Sequence, residues 1–244
     1  MTKIIGLIPC RLNSSRLKQK ALIQIDKYPL IVHTYKRAKL SKLLDDLYVC
    51  TDNQKIIRTL KKYNCKYIKT GSNFVNGTER IASVAKRISS KLIVDIQGDE
   101  PLLNPNDIDQ LIRFHKKNLK FDIVLPHQLI NNPATKNSVK LLADKKRVFF
   151  MTRSPAPFPF KKKNVKYKKH LSIISFKKKS LINFSKFKPS THEKIESIEL
   201  LRAIENNLKI ATFKSNSDSF SVDIKEDLNK AISYMKNDKF KKKY

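Results

Sequence analysis

Residues 3–20, KIIGLIPCRLNSSRLKQK, decide the fold. The apolar run from Lys3 to Cys10 has the length of a buried β-strand, and a polar segment with several cations and three small hydrogen-bonding residues follows it. Such a loop suits a polyphosphate, because cations neutralise its charge while hydroxyl and backbone N–H groups satisfy its remaining lone pairs. An ordinary basic loop is the alternative, since no Walker or dinucleotide glycine pattern is present. The loop residues are Arg11, Arg16 and Lys20 with Asn13, Ser14 and Ser15.

Strand-length and helix-length patterns alternate from this strand to about residue 126. They predict strands at 3–10, 46–51, 66–70, 92–96 and 121–126, and helices at 29–40, 54–63, 78–88 and 107–118. Alternation of this kind indicates an α/β fold, in which parallel strands are covered by helices on both faces and ligands bind at the carboxyl ends of the strands.

The second half of the chain is less regular. It predicts strands at 139–143, 148–152, 171–176, 209–213 and 220–222, and helices at 192–206 and 226–236. Three prolines exclude regular structure from Pro155 to Phe160. We therefore expect one domain over residues 1–244, with a small lobe or insertion around 127–190.

The charge of the chain does not by itself indicate a nucleic-acid partner. The 244 residues carry a net charge of +31, and a hydrophobic content of 40% is too high for a disordered basic protein. Only ten of the 52 basic residues are Arg, whereas specific DNA readers concentrate Arg for contacts to bases. We interpret the excess of Lys as compositional drift and predict no specific nucleic-acid partner, although weak binding of polyanions is expected.

Cysteine usage and the N-terminal pattern predict where the protein works. The odd set Cys10, Cys50 and Cys65 contains no CxxC pair and gives no disulfide framework, which favours a reducing compartment. The first apolar run reaches Arg11 before a signal sequence or membrane span could be completed. We expect a cytoplasmic protein without a membrane partner.

Acidic residues follow two of the predicted strands. Asp99 and Glu100 end a buried strand, where a carboxylate is costly unless it is solvated, paired or bound to a metal, and Mg²⁺ with nucleotide phosphates commonly takes one or two protein carboxylates. Asp223, after the strand predicted at 220–222, is placed by topology to be the second. A helix N-cap is the local alternative for Asp223, because a helix follows closely.

Eight segments resemble, in order and spacing, the 3-deoxy-manno-octulosonate cytidylyltransferases. The resemblance implies a Rossmann-like nucleotidyltransferase fold with a small dimerisation lobe, a homodimer, and the use of CTP, Mg²⁺ and the eight-carbon keto sugar acid Kdo for lipopolysaccharide biosynthesis. The products would be CMP-Kdo and pyrophosphate. The segments are IPCRLNSSRLKQK (8–20), NGTER (76–80), IQGDEP (96–101), NSVKLLAD (137–144), FFMTRSPAPF (149–158), HLSIISF (170–176), PSTHEKIESIELLR (189–202) and SVDIKEDL (221–228).

The resemblance also implies site residues. The implied catalytic set is Arg11, Lys20, Asp99 and Asp223, of which Asp99 and Asp223 would be the metal ligands. Nucleotide binding is implied for Arg11, Ser14, Ser15, Arg16, Lys20, Thr78 and Arg80. Binding of the sugar acid is implied for Gln97, Arg153, His170 and Glu199. On the residues alone, His170 could be a surface residue, and Glu199 could lie on the polar face of a helix with Glu193 and Glu196.

The chain departs from the family pattern at several positions. The usual Pro-Gly turn is missing at Lys18-Gln19, so Gln19 is expected to adopt an awkward backbone conformation, and Ser221 replaces a glycine. His192 replaces a leucine, and Leu200 replaces a glutamine that is close to the sugar in the family. Alternative substrates are therefore 8-amino-Kdo or a nonulosonate, and a non-catalytic polyanion-binding protein is the alternative from another class.

Overall fold

The computed structural model describes residues 3–14, 16–134, 138–161, 164–217 and 219–244. Its strands are β1 (Ile4–Pro9), β2 (Gln24–Ile25), β3 (Tyr28–Pro29), β4 (Asp46–Thr51), β5 (Tyr67–Lys69), β6 (Leu92–Ile96), β7 (Ile123–Ile130), β8 (Lys140–Asp144), β9 (Arg147–Thr152), β10 (Tyr167–His170), β11 (Ile173–Lys177) and β12 (Ile210–Lys214). Its α-helices are α1 (Leu30–Ala38), α2 (Gln54–Lys62), α3 (Gly77–Ala85), α4 (Pro105–Lys117), α5 (Lys178–Phe184), α6 (Thr191–Glu196), α7 (Leu200–Glu205) and α8 (Lys225–Lys236). Short 3-10 turns lie at Lys20–Leu22 and Lys241–Lys243.

Ten of these strands form one sheet, in the order β10-β8-β9-β12-β7-β11-β6-β1-β4-β5. β1 lies between β4 and β6 and is parallel to both, and β4 is parallel to β5. β11 is antiparallel to its neighbours β6 and β7, while β12 is parallel to β7. The predicted α/β fold, a sheet with parallel strands and helices on both faces, is confirmed.

Alternation along the central strands builds a core on each face of the sheet. Ile4 and Ile8 of β1 pack with α1, α2 and α4, whereas Ile5 and Leu7 pack with α3, α5 and α7. Among the described residues, no helix combines the length and the apolar character that crossing a membrane requires.

A small antiparallel extension lies at one end of the sheet. The first residues of β7 pair with β11 and β12, but residues 127–130 pair with β10. β10 also pairs with β8, β8 with β9, and β9 with β12, so these strands close into a ring with β7. The ring falls largely within 127–190, where the sequence predicted a lobe.

The structure corrects several element predictions in the second half. The helix predicted at 192–206 is broken into α6 and α7, because Ser197 has a left-handed backbone (φ 52°). Residues 220–222 form no strand, since the N–H of Val222 donates instead to the carbonyl of Asp99 (2.9 Å) at the end of β6. The helix α5 and the strand β10 had no counterpart in the prediction.

The basic C-terminal segment packs on α1. Phe240 is buried, and Arg37 of α1 forms an ion pair with Asp238. The hydroxyl of Tyr244 lies 2.9 Å from Nδ1 of the buried His33. The end of the chain is therefore part of the folded structure, in spite of its lysine-rich sequence.

Candidate active site

A cavity of about 420 Å³ opens at the carboxyl ends of β1 and β6. The loop after β1, the loop before α3 and the loop after β6 supply most of its wall. Gly98 lets these strand ends approach, because a Cβ at this position would lie 3.1 Å from the carbonyl oxygen of Pro9. The polar lining residues are Arg11, Asn13, Ser14, Arg16, Lys20, Asn76, Arg80, Gln97, Asp99, Ser197 and Asp223.

The charged centre of the cavity is a contact of Lys20 with two carboxylates. Its Nζ donates to Asp99 Oδ2 at 2.7 Å and to Asp223 Oδ1 at 3.0 Å. Burial alone would lower the pKa of Lys20, but the charges and hydrogen bonds of Asp99 and Asp223 outweigh it and raise that pKa. Arg16 Nη2 also lies 3.0 Å from Asp223 Oδ1. The structure thus brings four of the predicted residues into one network.

Backbone contacts place Asp223 in this network. The bond from the Val222 N–H to the Asp99 carbonyl fixes the segment against the end of β6. The carboxylate of Asp227 accepts from the N–H groups of Asp223 and Ile224 at the start of α8 (3.0 and 3.2 Å). Asp227 therefore accepts the hydrogen bonds at the N-terminus of α8, and the side chain of Asp223 contacts Lys20 instead. This rules out an N-cap role for Asp223.

The loop after β1 carries backbone strain. Gln19, next to Lys20, has φ 50° and ψ 35°, as the missing Pro-Gly turn predicted. Ser221, at the other replaced glycine, has no positive φ. Ser15, predicted to bind nucleotide, lies outside the described residues.

Arg80 is fixed on the opposite wall of the cavity. Its guanidinium forms an ion pair with Asp52 (2.7 Å), donates to Gly71 O (3.1 Å) and lies 5.4 Å from the ring centre of Phe74. Arg80 is almost completely buried, so these contacts fix the orientation of its guanidinium group.

Thr78 and Glu199 lie behind the wall. Thr78 is fully buried, and its hydroxyl donates to Glu199 Oε1 at 2.6 Å. Burial raises the pKa of Glu199 to about 7, although the Thr78 hydrogen bond and the Arg202 charge oppose the shift. Within the described part of the chain, the buried Oε2 of Glu199 has no hydrogen-bond partner.

A second cavity of about 210 Å³ shares Asp223 with the first. His170 lines it together with Lys169 and Glu100. Burial lowers the pKa of His170 to about 4, so its ring is neutral at pH 7, and its buried Nδ1 has no hydrogen-bond partner among the described residues. His170 is thus partly exposed on the wall of this cavity, and its Nδ1 is buried.

Arg153 does not line either cavity. Its guanidinium donates to the backbone carbonyls of Glu196 (2.7 Å) and Ser197 (3.2 Å), and its N–H donates to the Glu196 carboxylate (2.8 Å). The side chain therefore fixes the break between α6 and α7, close to Ser197 on the wall of the first cavity.

The three glutamates of the 193–199 segment do not form a polar helix face. Glu193 pairs with the fully buried Arg202, Glu196 accepts from Thr152 and Arg153, and Glu199 accepts from Thr78. They point to different elements because the helix is interrupted at Ser197. Leu200 packs in the core beside α3 and is absent from both cavity walls.

Several residues that line the first cavity were not predicted from the sequence. Phe74, Val75 and Asn76 form the loop between β5 and α3, and Ser197 forms the turn before α7. Residues 74–76 follow the parallel strand β5, so their position at the carboxyl edge of the sheet could be predicted from the sequence. Ser197 gave no such signal, because its position depends on the helix break.

The described residues contain no group of three or more His, Cys, Asp and Glu that could hold a metal ion. The available carboxylates are Asp99 and Asp223, and both contact the same ammonium group. When phosphates complete its coordination, Mg²⁺ takes only one or two carboxylates from the protein. Asp99 and Asp223, which already share one cation, fit this requirement.

The fold and the cavity define a nucleotidyltransferase: a mixed α/β sheet carries a cavity lined by cations and two acids where its parallel strands end. The chain belongs to the cytidylyltransferase family, whose sequence profile matches residues 5–210. The family predicted from the sequence motifs is thereby confirmed.

Individual relatives agree. The 3-deoxy-manno-octulosonate cytidylyltransferase of Fusobacterium nucleatum is 37% identical, over 98% of this chain and 99% of its own. An 8-amino-3,8-dideoxy-manno-octulosonate cytidylyltransferase of a Shewanella species is 34% identical, over 93% and 96%. A solved structure of CMP:2-keto-3-deoxy-manno-octonic acid synthetase complexed with CTP superposes with a TM-score of 0.92 at 28% identity, over 96% of this chain and 99% of that one.

Proposed function

We propose that the enzyme transfers CMP from CTP to the keto sugar acid Kdo and releases pyrophosphate. The observation that carries this proposal is the network of Lys20, Asp99 and Asp223 at the junction of the two cavities. Arg11 and Arg16, with Ser14, line the first cavity, which suits the triphosphate. The second cavity, next to Asp223, suits part of the sugar acid.

In this proposal the anomeric hydroxyl of the sugar attacks the α-phosphorus of CTP. The new O–P bond forms as the bond to pyrophosphate breaks in line, and the hydroxyl proton passes to solvent. Lys20, Arg11 and Arg16 hold the phosphates and balance the charge that develops on them. Asp99 and Asp223 would hold Mg²⁺, which supplies positive charge and lowers the pKa of the attacking hydroxyl.

Binding of the sugar is assigned to Gln97 on the first cavity and His170 on the second. Neutral His170 has a buried ring nitrogen that a sugar hydroxyl would satisfy. The buried Oε2 of Glu199, which has no hydrogen-bond partner among the described residues, offers a second acceptor. Arg153 would act on the sugar carboxylate only after releasing the carbonyls of the 196–197 turn.

We further propose a cytoplasmic homodimer that associates through the antiparallel extension. Phe149, Phe158, Phe160 and Ile195 are all more than half exposed in or near this region. The cysteines are free and buried, as a reducing compartment favours. Light scattering should give twice the chain mass, and Phe158→Ser with Phe160→Ser should give the monomer.

The test of activity is a pyrophosphate-release assay. Each nucleoside triphosphate is combined with Kdo, its 8-amino analogue and a nonulosonate, with and without Mg²⁺. We expect turnover with CTP and Kdo, dependent on Mg²⁺. The 8-amino analogue is the second candidate, since one relative is named for it. A higher kcat/KM for that analogue would replace Kdo as the substrate, and no release with any sugar acid would overturn the proposal.

A further inference from the structure

Asp95 is a buried acid in an apolar layer. Alternation along β6 places it on the same face as Ile93, which packs with Leu7 and Cys50 under α3. Its side chain is completely buried, and no Lys or Arg of the described residues forms an ion pair with it. An isolated carboxylate is very costly in such surroundings, and the usual response is to stay protonated.

Asp95 also contacts two groups of the candidate site. The Nε2 of Gln97, a residue of the cavity wall, lies 3.3 Å from both carboxyl oxygens of Asp95. The hydroxyl of Thr78 lies 3.4 Å from Asp95 Oδ2 and 2.6 Å from Glu199 Oε1. Because Gln97 donates its amide N–H toward Asp95, the amide oxygen is left as the acceptor for a ligand.

The proton count of this cluster favours one neutral acid. A threonine hydroxyl has one proton, so Thr78 cannot donate to two carboxylates at once. It donates over the shorter distance to Glu199, and a protonated Asp95 can then donate to the Thr78 oxygen. Burial, and next the charge of Glu199, raise the pKa of Asp95 well above its usual value.

The surrounding charges are few. Asp95 is faced by the Cys50 thiol of β4, by Glu199 and by Asp99. Glu199 is in turn faced by Arg202, Glu193 and Glu79. The positive charges that face these groups are Arg202, which pairs with Glu79 and Glu193, Lys20, which pairs with Asp99, and Arg80 and Arg87 near Cys50.

We propose that protonated Asp95 is a positioning residue for the sugar acid: it orients the amide of Gln97 and keeps this wall of the cavity free of negative charge. The inference rests on the function proposed above. The sugar acid is an anion and the proposed function places it against Gln97, so an ionised Asp95 directly behind Gln97 would repel it and weaken its binding at alkaline pH. Asparagine has the same shape and no charge, and should replace the protonated acid.

The experiment measures KM for Kdo and for CTP from pH 6 to pH 9.5 with wild type, Asp95→Asn and Asp95→Leu. The wild-type KM for Kdo should rise about tenfold across this range, which equals ~1.4 kcal/mol, while that of Asp95→Asn stays flat. Asp95→Leu should raise the KM for Kdo about tenfold at every pH, because Gln97 loses its partner. The KM for CTP should be the same in all three.

Asp107→Asn is the matched control. Asp107 is also buried with a raised pKa, but it accepts from Ser215 (2.9 Å) and lines neither cavity. This variant should keep the wild-type pH profile. If Asp95→Asn follows the wild-type profile, or if the KM for CTP changes as much as that for Kdo, the inference is wrong.

A second readout does not require activity. The pKa of Asp95 is higher in the folded protein than in the unfolded chain. The wild type therefore loses stability as the pH rises toward the folded-state pKa, whereas Asp95→Asn has no such group and does not show this loss. The Tm of Asp95→Asn minus that of wild type should therefore increase from pH 6 to pH 9. A constant difference overturns the protonated state. If the wild-type protein shows no turnover, the proposed function is refuted, and the positioning role of Asp95 with it.

Discussion

Two clusters in this protein each place one cation between two acids, but in different environments. Lys20 lies between Asp99 and Asp223 on the wall of a cavity, and Arg202 lies between Glu79 and Glu193 in the core. The side chain of Arg202 is 1% exposed and that of Lys20 is 15% exposed. Their acidic partners are 10% to 18% exposed around Arg202 and 22% to 26% exposed around Lys20. Each cluster joins segments that are distant in sequence.

Solvent access makes the difference between them. In the Arg202 cluster, one guanidinium donates to two carboxylates and to the carbonyl of Phe187 (3.1 Å), so its hydrogen-bonding capacity is used within the protein. Lys20 has fewer contacts, and its two acidic partners face the first cavity. A phosphate or a metal ion can therefore bind there at little cost in free energy. A cluster of one cation and two acids therefore stabilises the fold in one place and is available to a ligand in the other.

Neutralising an acid of the open cluster should have the largest effect. Asp223→Asn or Asp99→Asn should lower kcat/KM by about 100-fold or more, because a metal contributes several kcal/mol to the transition state. Stability should change little, since the cluster is partly solvated. Glu226→Gln, an exposed acid on α8, is the control and should be fully active. Near-normal activity of Asp223→Asn would remove this residue from the site.

Breaking the closed cluster should affect stability instead. Arg202→Met leaves two acids without their cation and should lower the free energy of unfolding by about 3 kcal/mol. For a chain of this size, this corresponds to a decrease in Tm of roughly 9 °C. The control Arg58→Met, on an exposed part of α2, should stay within about 0.5 kcal/mol. A stable Arg202→Met protein with reduced activity would contradict the division between the two clusters.

Leu200 tests whether α7 belongs to the fold or to the substrate pocket. Because Leu200 is in the core, Leu200→Gln should cost about 1–3 kcal/mol for the buried amide. The ratio of kcat/KM between Kdo and its 8-amino analogue should not change. Denaturant unfolding and the two-substrate assay measure these quantities, and a shifted ratio would place residue 200 at the sugar after all.

The smallest effect is expected next to the open cluster. Gln19→Gly should stabilise the protein by up to about 1 kcal/mol, because glycine adopts the left-handed conformation without strain but loses more chain entropy on folding. Lys18→Gly, whose φ is not positive, should instead destabilise it by about 0.5–1 kcal/mol. If both variants lose stability equally, the backbone at Gln19 is not strained.

The sequence determined the first half of the fold. The continuous apolar runs of β1 and β6 and the helical periods between the strands depend on local geometry, so they can be recognised in the residues themselves. The position of Asp99 followed from the same reasoning, since the carboxyl end of a buried strand is known once the strand is known.

Tertiary structure decided what distant segments do to one another. The break at Ser197 and the path of residues 220–223 arise from contacts with Arg153 and with the Asp99 carbonyl, respectively, and neither contact has a local signature. The three glutamates have the same residue type and even spacing, but their partners differ. Likewise, the difference between the clusters of Lys20 and Arg202 is a difference in solvent access, which depends on what the rest of the chain places around them.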